Sequence, residues 1–201
     1  MKMNQVATNV ILLRHGMVEG EKRLVGHTDV PLCDEGREGV RATRDKLAGA
    51  KIDVFYSSDL SRATETTQIV AEGRGIPHHT DPDLRELNMG LWDGLYVEEV
   101  MKTHLERIKE WWRDPSLFRT PEGESLEDLK ARVLPSFRRI VKNHPGQTVC
   151  VVAHGGVNRV ILFDAMGLTL KRYYNVSQDY ACINKIRYFA DGEVVVDLVN
   201  G

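Results

Sequence analysis

Two apolar runs in this chain end in a histidine beside glycine. Residues 10–16 read VILLRHG and residues 149–156 read VCVVAHGG, so His15 sits between Arg14 and Gly16, and His154 precedes Gly155 and Gly156. A neutral imidazole offers one nitrogen lone pair for attack and one N–H for donation. A guanidinium forks onto the oxygens of a carboxylate or phosphate, and glycine lets the backbone approach a ligand closely. A second arginine, Arg62, stands in LSRATETTQIV, in the first turn of an expected helix, where its charge opposes the helix dipole. An anion bound at that end would compensate. Two histidines and two arginines drawn to one point make an oxyanion site, with phosphate the foremost guest.

Taken singly, each residue has a plainer reading. A histidine at a strand end is commonly a hydrogen-bonded structural residue, Arg14 could form a surface ion pair, and Arg62 could pair with Asp59 or Glu65. Their shared placement at strand ends and at a helix start favours the anion site.

Other phosphate chemistries find no support. No cysteine is followed six positions later by arginine, which removes a cysteine-phosphate loop. Asp81-Pro-Asp83 resembles a paired-aspartate motif, but it follows the polar HHT, and its proline suits a turn. No GxxxxGK[ST] or GxGxxG cradle occurs. His78 and His79 on a strand would face opposite ways, a poor arrangement for one metal. A histidine nucleophile working without a metal or other cofactor remains.

The elements that must position these groups follow from periodicity. Val10–Leu13, Asp53–Tyr56 and Thr148–Ala153 read as buried parallel strands. Helical spacing follows each: Gly36, Val40, Thr43, Leu47; then Leu60, Ala63, Thr67, Val70; then Val157, Ile161, Ala165, Leu168, with Gly167 as a stop. This alternation predicts a three-layer α/β/α fold with a mainly parallel sheet, whose ligand binds beyond the carboxyl ends of the strands. Those ends are Arg14-His15-Gly16, Ser57-Ser58 and His154-Gly155-Gly156, joined by the N-terminus of a helix starting near Val157.

A helical lid or subdomain, residues about 95–143, is expected in the middle of the chain. One face there comprises Val97, Met101, His104, Leu105, Ile108 and Trp112. A second helix opens on Ser125-Leu-Glu-Asp128, a capping box, and Pro135 should kink it. The aromatics Trp111, Trp112 and Phe118 suit core packing, or a lid that selects the alcohol half of a substrate. A hairpin turning at Asp191-Gly192 ends the chain.

The 201 residues allow one core, read as a single domain over 1–201. Net charge is −2 with both signs interspersed, so no basic stripe argues for nucleic acid. Cys33, Cys150 and Cys182 are odd in number and widely spaced, which suits a reduced compartment. MKMNQVATNV carries no apolar leader and no run reaches spanning length, so a cytoplasmic protein without membrane association is expected. Monomer and homodimer both stay open.

LLRHG, YSSDLSRATETTQ, LRELNMGLWDG, GESLEDLKARV and VVAHGG together resemble, in order, the blocks of the histidine phosphatase superfamily, the phosphoglycerate-mutase-like proteins. The resemblance implies that His15 becomes a phosphohistidine and that Arg14, Arg62 and His154 hold the phosphoryl oxygens. It implies that Glu86 is the general acid for the leaving oxygen. GHTDVPL, residues 26–32, fits as well, so Gly26, His27 and Thr28 join Gly16 and Gly155 as expected substrate contacts. One departure stands out: relatives carry a phosphate-contacting Asn in the loop after RHG, where this chain has Met17-Val18-Glu19-Gly20-Glu21.

Mutase relatives carry basic residues after the Glu-containing loop. Here NMGLWDGLYVEEV has none before Lys102, which favours hydrolysis of a small phosphorylated metabolite over phosphoryl transfer. GHTDVPL, GGVNRVILFDAMGL and QDYACIN most resemble phosphatases of the α-ribazole-phosphate type. A phosphoglycerate-mutase-type phosphotransferase is the alternative reading, and a non-catalytic phospho-ligand binder on the same fold is a third.

Overall fold

A computed structural model describes residues 6–20 and 22–201; Glu21, part of the departing loop, lies outside them. Six strands form one sheet in the order β3-β2-β4-β1-β5-β6. They are β1 (Ala7–Arg14), β2 (Val54–Ser57), β3 (His78–Thr80), β4 (Thr148–Ala153), β5 (Ile183–Phe189) and β6 (Val194–Leu198). β1 to β4 are mutually parallel, whereas β5 runs antiparallel to β1 and β6 to β5.

Both faces of the central strands are covered, which is why they read as unbroken apolar runs rather than alternating ones. Val10, Leu12, Val149 and Val151 point to one face, against α5 (Leu126–Asn143) and α6 (Gly155–Ala165). Ile11, Leu13, Cys150 and Val152 point to the other, against α1 (Asp34–Lys46) and α2 (Ser61–Ala71). The expected three layers, with β1, β4 and β2 adjacent and parallel, are present.

Several local expectations need correction. The third strand–helix unit starts its helix at Gly155, not near Val157, with His154 in the N-cap position. The two glycines take up the first helical turn, so their N–H groups, rather than later ones, face the rim. Leu168 lies beyond α6, which ends before Gly167 at φ +65°. The middle segment is broken at His104 into α3 (Val97–Thr103) and α4 (Leu105–Arg113). This break shifts the helical phase: Val100 and Ile108 are buried, while Leu105 and Trp112 are exposed. Trp111 is the inward tryptophan, stacked on Phe118 with ring centroids at 5.7 Å. The polar HHT segment is an edge strand, β3, too short and hydrophilic to announce itself.

Of the middle helices, α3 and α4 bury Val100 and Ile108 against Trp92, whereas α5 returns to the sheet and buries Leu129, Val133, Phe137 and Ile140. Its capping box is present, with Asp128 N–H on Ser125 Oγ (3.2 Å) and Ser125 N–H on Asp128 Oδ2 (2.7 Å). α5 runs on through Pro135 to Asn143. No helix among the described residues is long and apolar enough to cross a membrane.

Candidate active site

The carboxyl ends of β1 and β4 bring His15 and His154 together, with ring centroids 5.0 Å apart and planes at 62°. Both are buried, at 5% and 0% exposure. Their protons can be assigned from their partners. His15 Nδ1 lies 2.7 Å from the carbonyl of Gly16. A carbonyl only accepts, so Nδ1 carries the hydrogen and Nε2 keeps a free lone pair. The reverse holds for His154, whose Nδ1 receives a hydrogen bond from Arg62 Nε at 3.3 Å. A guanidinium only donates, so His154 is protonated on Nε2. That Nε2–H is buried and has no partner among the described residues.

Electrostatics keep both rings neutral. Burial lowers the His15 pKa well below the ordinary histidine value, and Arg62 and Arg14 lower it further. Burial does the same for His154, reinforced by Arg62, His15 and Arg14. One ring therefore presents a nucleophilic nitrogen and the other an unanswered donor.

Arg62 is 1% exposed and sits one residue into α2. Neither Asp59 nor Glu65 is its partner: Asp59 holds Arg85 and Glu65 holds Arg37. Instead Arg62 Nη1 donates to Thr28 O (2.9 Å) and Nη2 to Gly26 O (2.6 Å). That loop is itself clasped by Asp93, whose carboxylate accepts from the N–H groups of Gly26, His27 and Thr28 at 2.7–3.0 Å. His27 Nε2 meets Glu86 O at 2.9 Å. These hydrogen bonds of residues 26–28 thus run to Arg62, Glu86 and Asp93. Arg62 keeps two N–H groups beyond these three bonds.

Arg14 completes the ring. Its Nη1 donates to Gln178 O at 2.6 Å, its guanidinium lies 3.8 Å from the Tyr180 ring centroid, and its buried Nε has no partner among the described residues. Gly16 packs against α1, where a Cβ would come within 2.7 Å of Gly36 O. A Cβ on Gly155 would stand 3.4 Å from Arg14 Nε. Ser57 and Ser58, the third strand end, are fully buried and bond among themselves, to His78 and to Leu60 N–H rather than facing the pocket.

Glu86 lines the same cavity of about 100 Å³ as Arg14, His15, Arg62 and Tyr180. Its Oε2 accepts from Gly156 N–H at 2.9 Å, at the first turn of α6. From the loop after RHG, Gly20, Lys22 and Arg23 line this cavity, and Lys22 takes a left-handed φ of +72°. Sequence reasoning missed Tyr180, Gln178 and Asp93. Only QDYACIN, quoted for its likeness, pointed at the first two.

Among the described residues no three His, Cys, Asp or Glu side chains gather as a metal site. Arg14, His15 and Arg62 line one small cavity, and the orphan N–H of His154 belongs to the ring packed against His15. That set suits transfer of a trigonal, triply oxygenated anion to nitrogen.

Comparison with known proteins agrees. The profile of the histidine phosphatase superfamily (branch 1) matches residues 10–201. Phosphoglycerate mutase-like protein 4 of Arabidopsis thaliana is 38% identical over 155 residues, 75% of this chain and 67% of that protein. Phosphoserine phosphatase 1 of Hydrogenobacter thermophilus is 29% identical over 191 residues, covering 94% and 90%. The structure of YhfR from Bacillus stearothermophilus overlays with a TM-score of 0.90 at 30% identity, covering 96% of each chain.

Proposed function

Because this chain belongs to the histidine phosphatase superfamily, an enzyme family of phosphatases and mutases acting on small phosphorylated substrates, we propose that it is a phosphomonoester hydrolase. In this reading it needs no metal and passes through a phosphohistidine at His15. The observation that carries it is the opposed protonation of the two histidines: a free lone pair on His15 Nε2 beside an unpartnered N–H on His154 Nε2.

In the first step His15 Nε2 attacks phosphorus while the ester P–O bond breaks, and Glu86 gives its proton to the departing alcohol oxygen. Arg14, Arg62 and His154 hold the three equatorial oxygens, whose charge is greatest in the transition state. In the second step Glu86 takes a proton from water as the water oxygen attacks phosphorus. The P–N bond breaks, and inorganic phosphate leaves with His15 neutral again. Throughout, the Gly16 carbonyl keeps the His15 Nδ1 proton in place and so aims Nε2. Gly26 and Thr28 serve the substrate through Arg62, and His27 braces the Glu86 backbone.

α-Ribazole phosphate is the finer substrate reading, supported by the likeness of GHTDVPL and QDYACIN to that branch. One observation favours the mutase alternative: Lys22 and Arg23 bring two cations to the pocket from the β1–α1 loop, away from the segment after Glu86. Phosphate release from p-nitrophenyl phosphate in the presence of EDTA tests the hydrolase reading. Absence of turnover near pH 6 would contradict it. Stimulation of 3-phosphoglycerate isomerisation by a bisphosphate primer, with total organic phosphate conserved, would replace it with the mutase reading.

A further inference from the structure

Three uncharged amides are buried in one hydrogen-bonded cluster where β1, β5 and α6 meet. Asn158 on α6, Gln178 in the segment before β5 and Asn184 on β5 are at most 3% exposed. Their orientations follow from backbone groups that have a single role. Asn184 Nδ2 donates to the Leu12 carbonyl at 3.0 Å, and Asn184 Oδ1 accepts from the Asn200 N–H at 2.9 Å. The remaining capacity of Asn184 meets Gln178 amide to amide. Asn184 Nδ2 donates to Gln178 Oε1 at 2.9 Å, and Gln178 Nε2 donates to Asn184 Oδ1 at 2.8 Å. Gln178 Nε2 also donates to Ser177 O at 2.9 Å, and Gln178 Oε1 also accepts from Asn158 Nδ2 at 3.1 Å. Both amides of the pair are thus fully satisfied.

This cluster closes a path from β1 back to β1. It starts at Leu12 O, passes through Asn184 and the Gln178 side chain, and returns through the Gln178 carbonyl to Arg14 Nη1 at 2.6 Å. The same segment brings the Tyr180 ring centroid to 3.8 Å from the Arg14 guanidinium. Its next residue, Ala181, takes a left-handed φ of +57°, which is costly for a residue with a Cβ. That setting is held by Ala181 N–H on His15 O at 3.1 Å and by Thr43 Oγ1 on Ala181 O at 2.7 Å. Stability alone does not call for amides here, because an apolar pair of the same shape would fill the space without desolvation. What such a pair lacks is direction: hydrogen bonds fix angle as well as distance. With Nη1 committed to Gln178 O, Arg14 lines the His15 cavity with its buried Nε still unpartnered among the described residues.

Resting on the hydrolase reading, we infer that Asn184 and Gln178 are positioning residues for Arg14. Their reciprocal amide bonds hold the Gln178 carbonyl and the Tyr180 ring against the guanidinium. They thereby set the direction in which Arg14 presents its Nε–H to the phosphoryl oxygens. Loss of the pair leaves Arg14 charged and in place on β1 but free to turn, and the transition state loses an aligned donor.

Asn184→Leu and Gln178→Met break the amide pair from either side, and Gln178→Met spares the bonds of Asn184 to Leu12 and Asn200. Each is compared with the wild type by p-nitrophenyl phosphate kinetics and by ¹H–¹⁵N spectra of arginine side chains in saturating inorganic phosphate. The Arg14 Nε–H signal is identified by its absence in Arg14→Lys, and in the wild type it should exchange slowly with solvent. In the variants it should lose that protection, and kcat should fall about tenfold or more with KM within about threefold. A wild-type signal already in fast exchange, protection retained in the variants, an unchanged kcat, or either change without the other would overturn the inference and leave the hydrolase intact. If Asn184→Leu does not fold, Gln178→Met decides alone. A wild type without turnover would overturn the hydrolase reading and the catalytic role inferred from it, while the spectra would still report whether the amides hold Arg14.

Discussion

Arg62 Nε donates to His154 Nδ1, and this one bond decides which nitrogen of His154 carries the proton. The guanidinium thereby does two things at once: it supplies N–H groups to the pocket and turns His154 into a donor. Arg62→Ala should lower kcat/KM by about 10²–10³, the effect of losing one fixed transition-state donor. The protein should also lose stability, because the carbonyls of Gly26 and Thr28 lose their partners. Arg62→Lys should not restore activity, since an ammonium cannot span both carbonyls and His154. Steady-state kinetics beside urea titrations would check both effects.

Gly156→Ala is expected to fold normally and to misplace Glu86. The backbone there is not left-handed, and the added methyl meets the flexible end of Glu86, at 2.2 Å from Oε1, rather than backbone. Turnover of alkyl phosphates, which need a proton on the leaving oxygen, should fall tenfold or more. Turnover of p-nitrophenyl phosphate, whose leaving group needs none, should fall much less. Equal losses on both would place the defect elsewhere.

Arg132 on α5 uses all five of its N–H groups, three of them on the segment that carries Glu86. It donates to the carbonyls of Asp83, Arg85 and Glu86 and, in a fork, to both oxygens of Glu124. Arg132→Gln should show the same dependence on leaving group as Gly156→Ala, with a stability loss of about 2–3 kcal/mol from the broken charge-assisted bonds. A stability loss without that dependence would make Arg132 structural only.

Acid should destabilise the ligand-free protein through the same two histidines. Their folded pKa values are depressed, so below the ordinary histidine value of about 6.5 the unfolded chain binds protons that the folded chain refuses. Their contribution is complete above that pH and is lost as pH falls toward the folded values. The urea midpoint should therefore drop between pH 7 and 5.5, and the slope should be shallower in His154→Asn. A midpoint independent of pH over that range would contradict neutral burial.

Some of this site is legible in the chain, and the division has a physical basis. His15 and His154 stand out because buried parallel strands read as apolar runs and a ligand site lies at their carboxyl ends. Arg62 stands out because a cation in a first helical turn is misplaced without an anion. Asp93 and Arg132 leave no such mark, since both act on backbone groups of distant loops and backbone carries no side-chain signature. The lid face is misjudged by periodicity because the break at His104 resets the helical phase and turns Trp111 inward in place of Trp112. Lys22 and Arg23 bring cations to the pocket from the loop after RHG; their reach depends on loop geometry that spacing does not encode.

The central claim is that His15 Nε2 takes the phosphoryl group. Rapid quenching of the enzyme with a ³²P-labelled aryl phosphate should trap label on the protein that is stable to alkali and released by acid. That label should map to the peptide holding His15 and be missing in His15→Ala. Label that survives acid, maps elsewhere, or persists in His15→Ala with turnover intact would contradict the account.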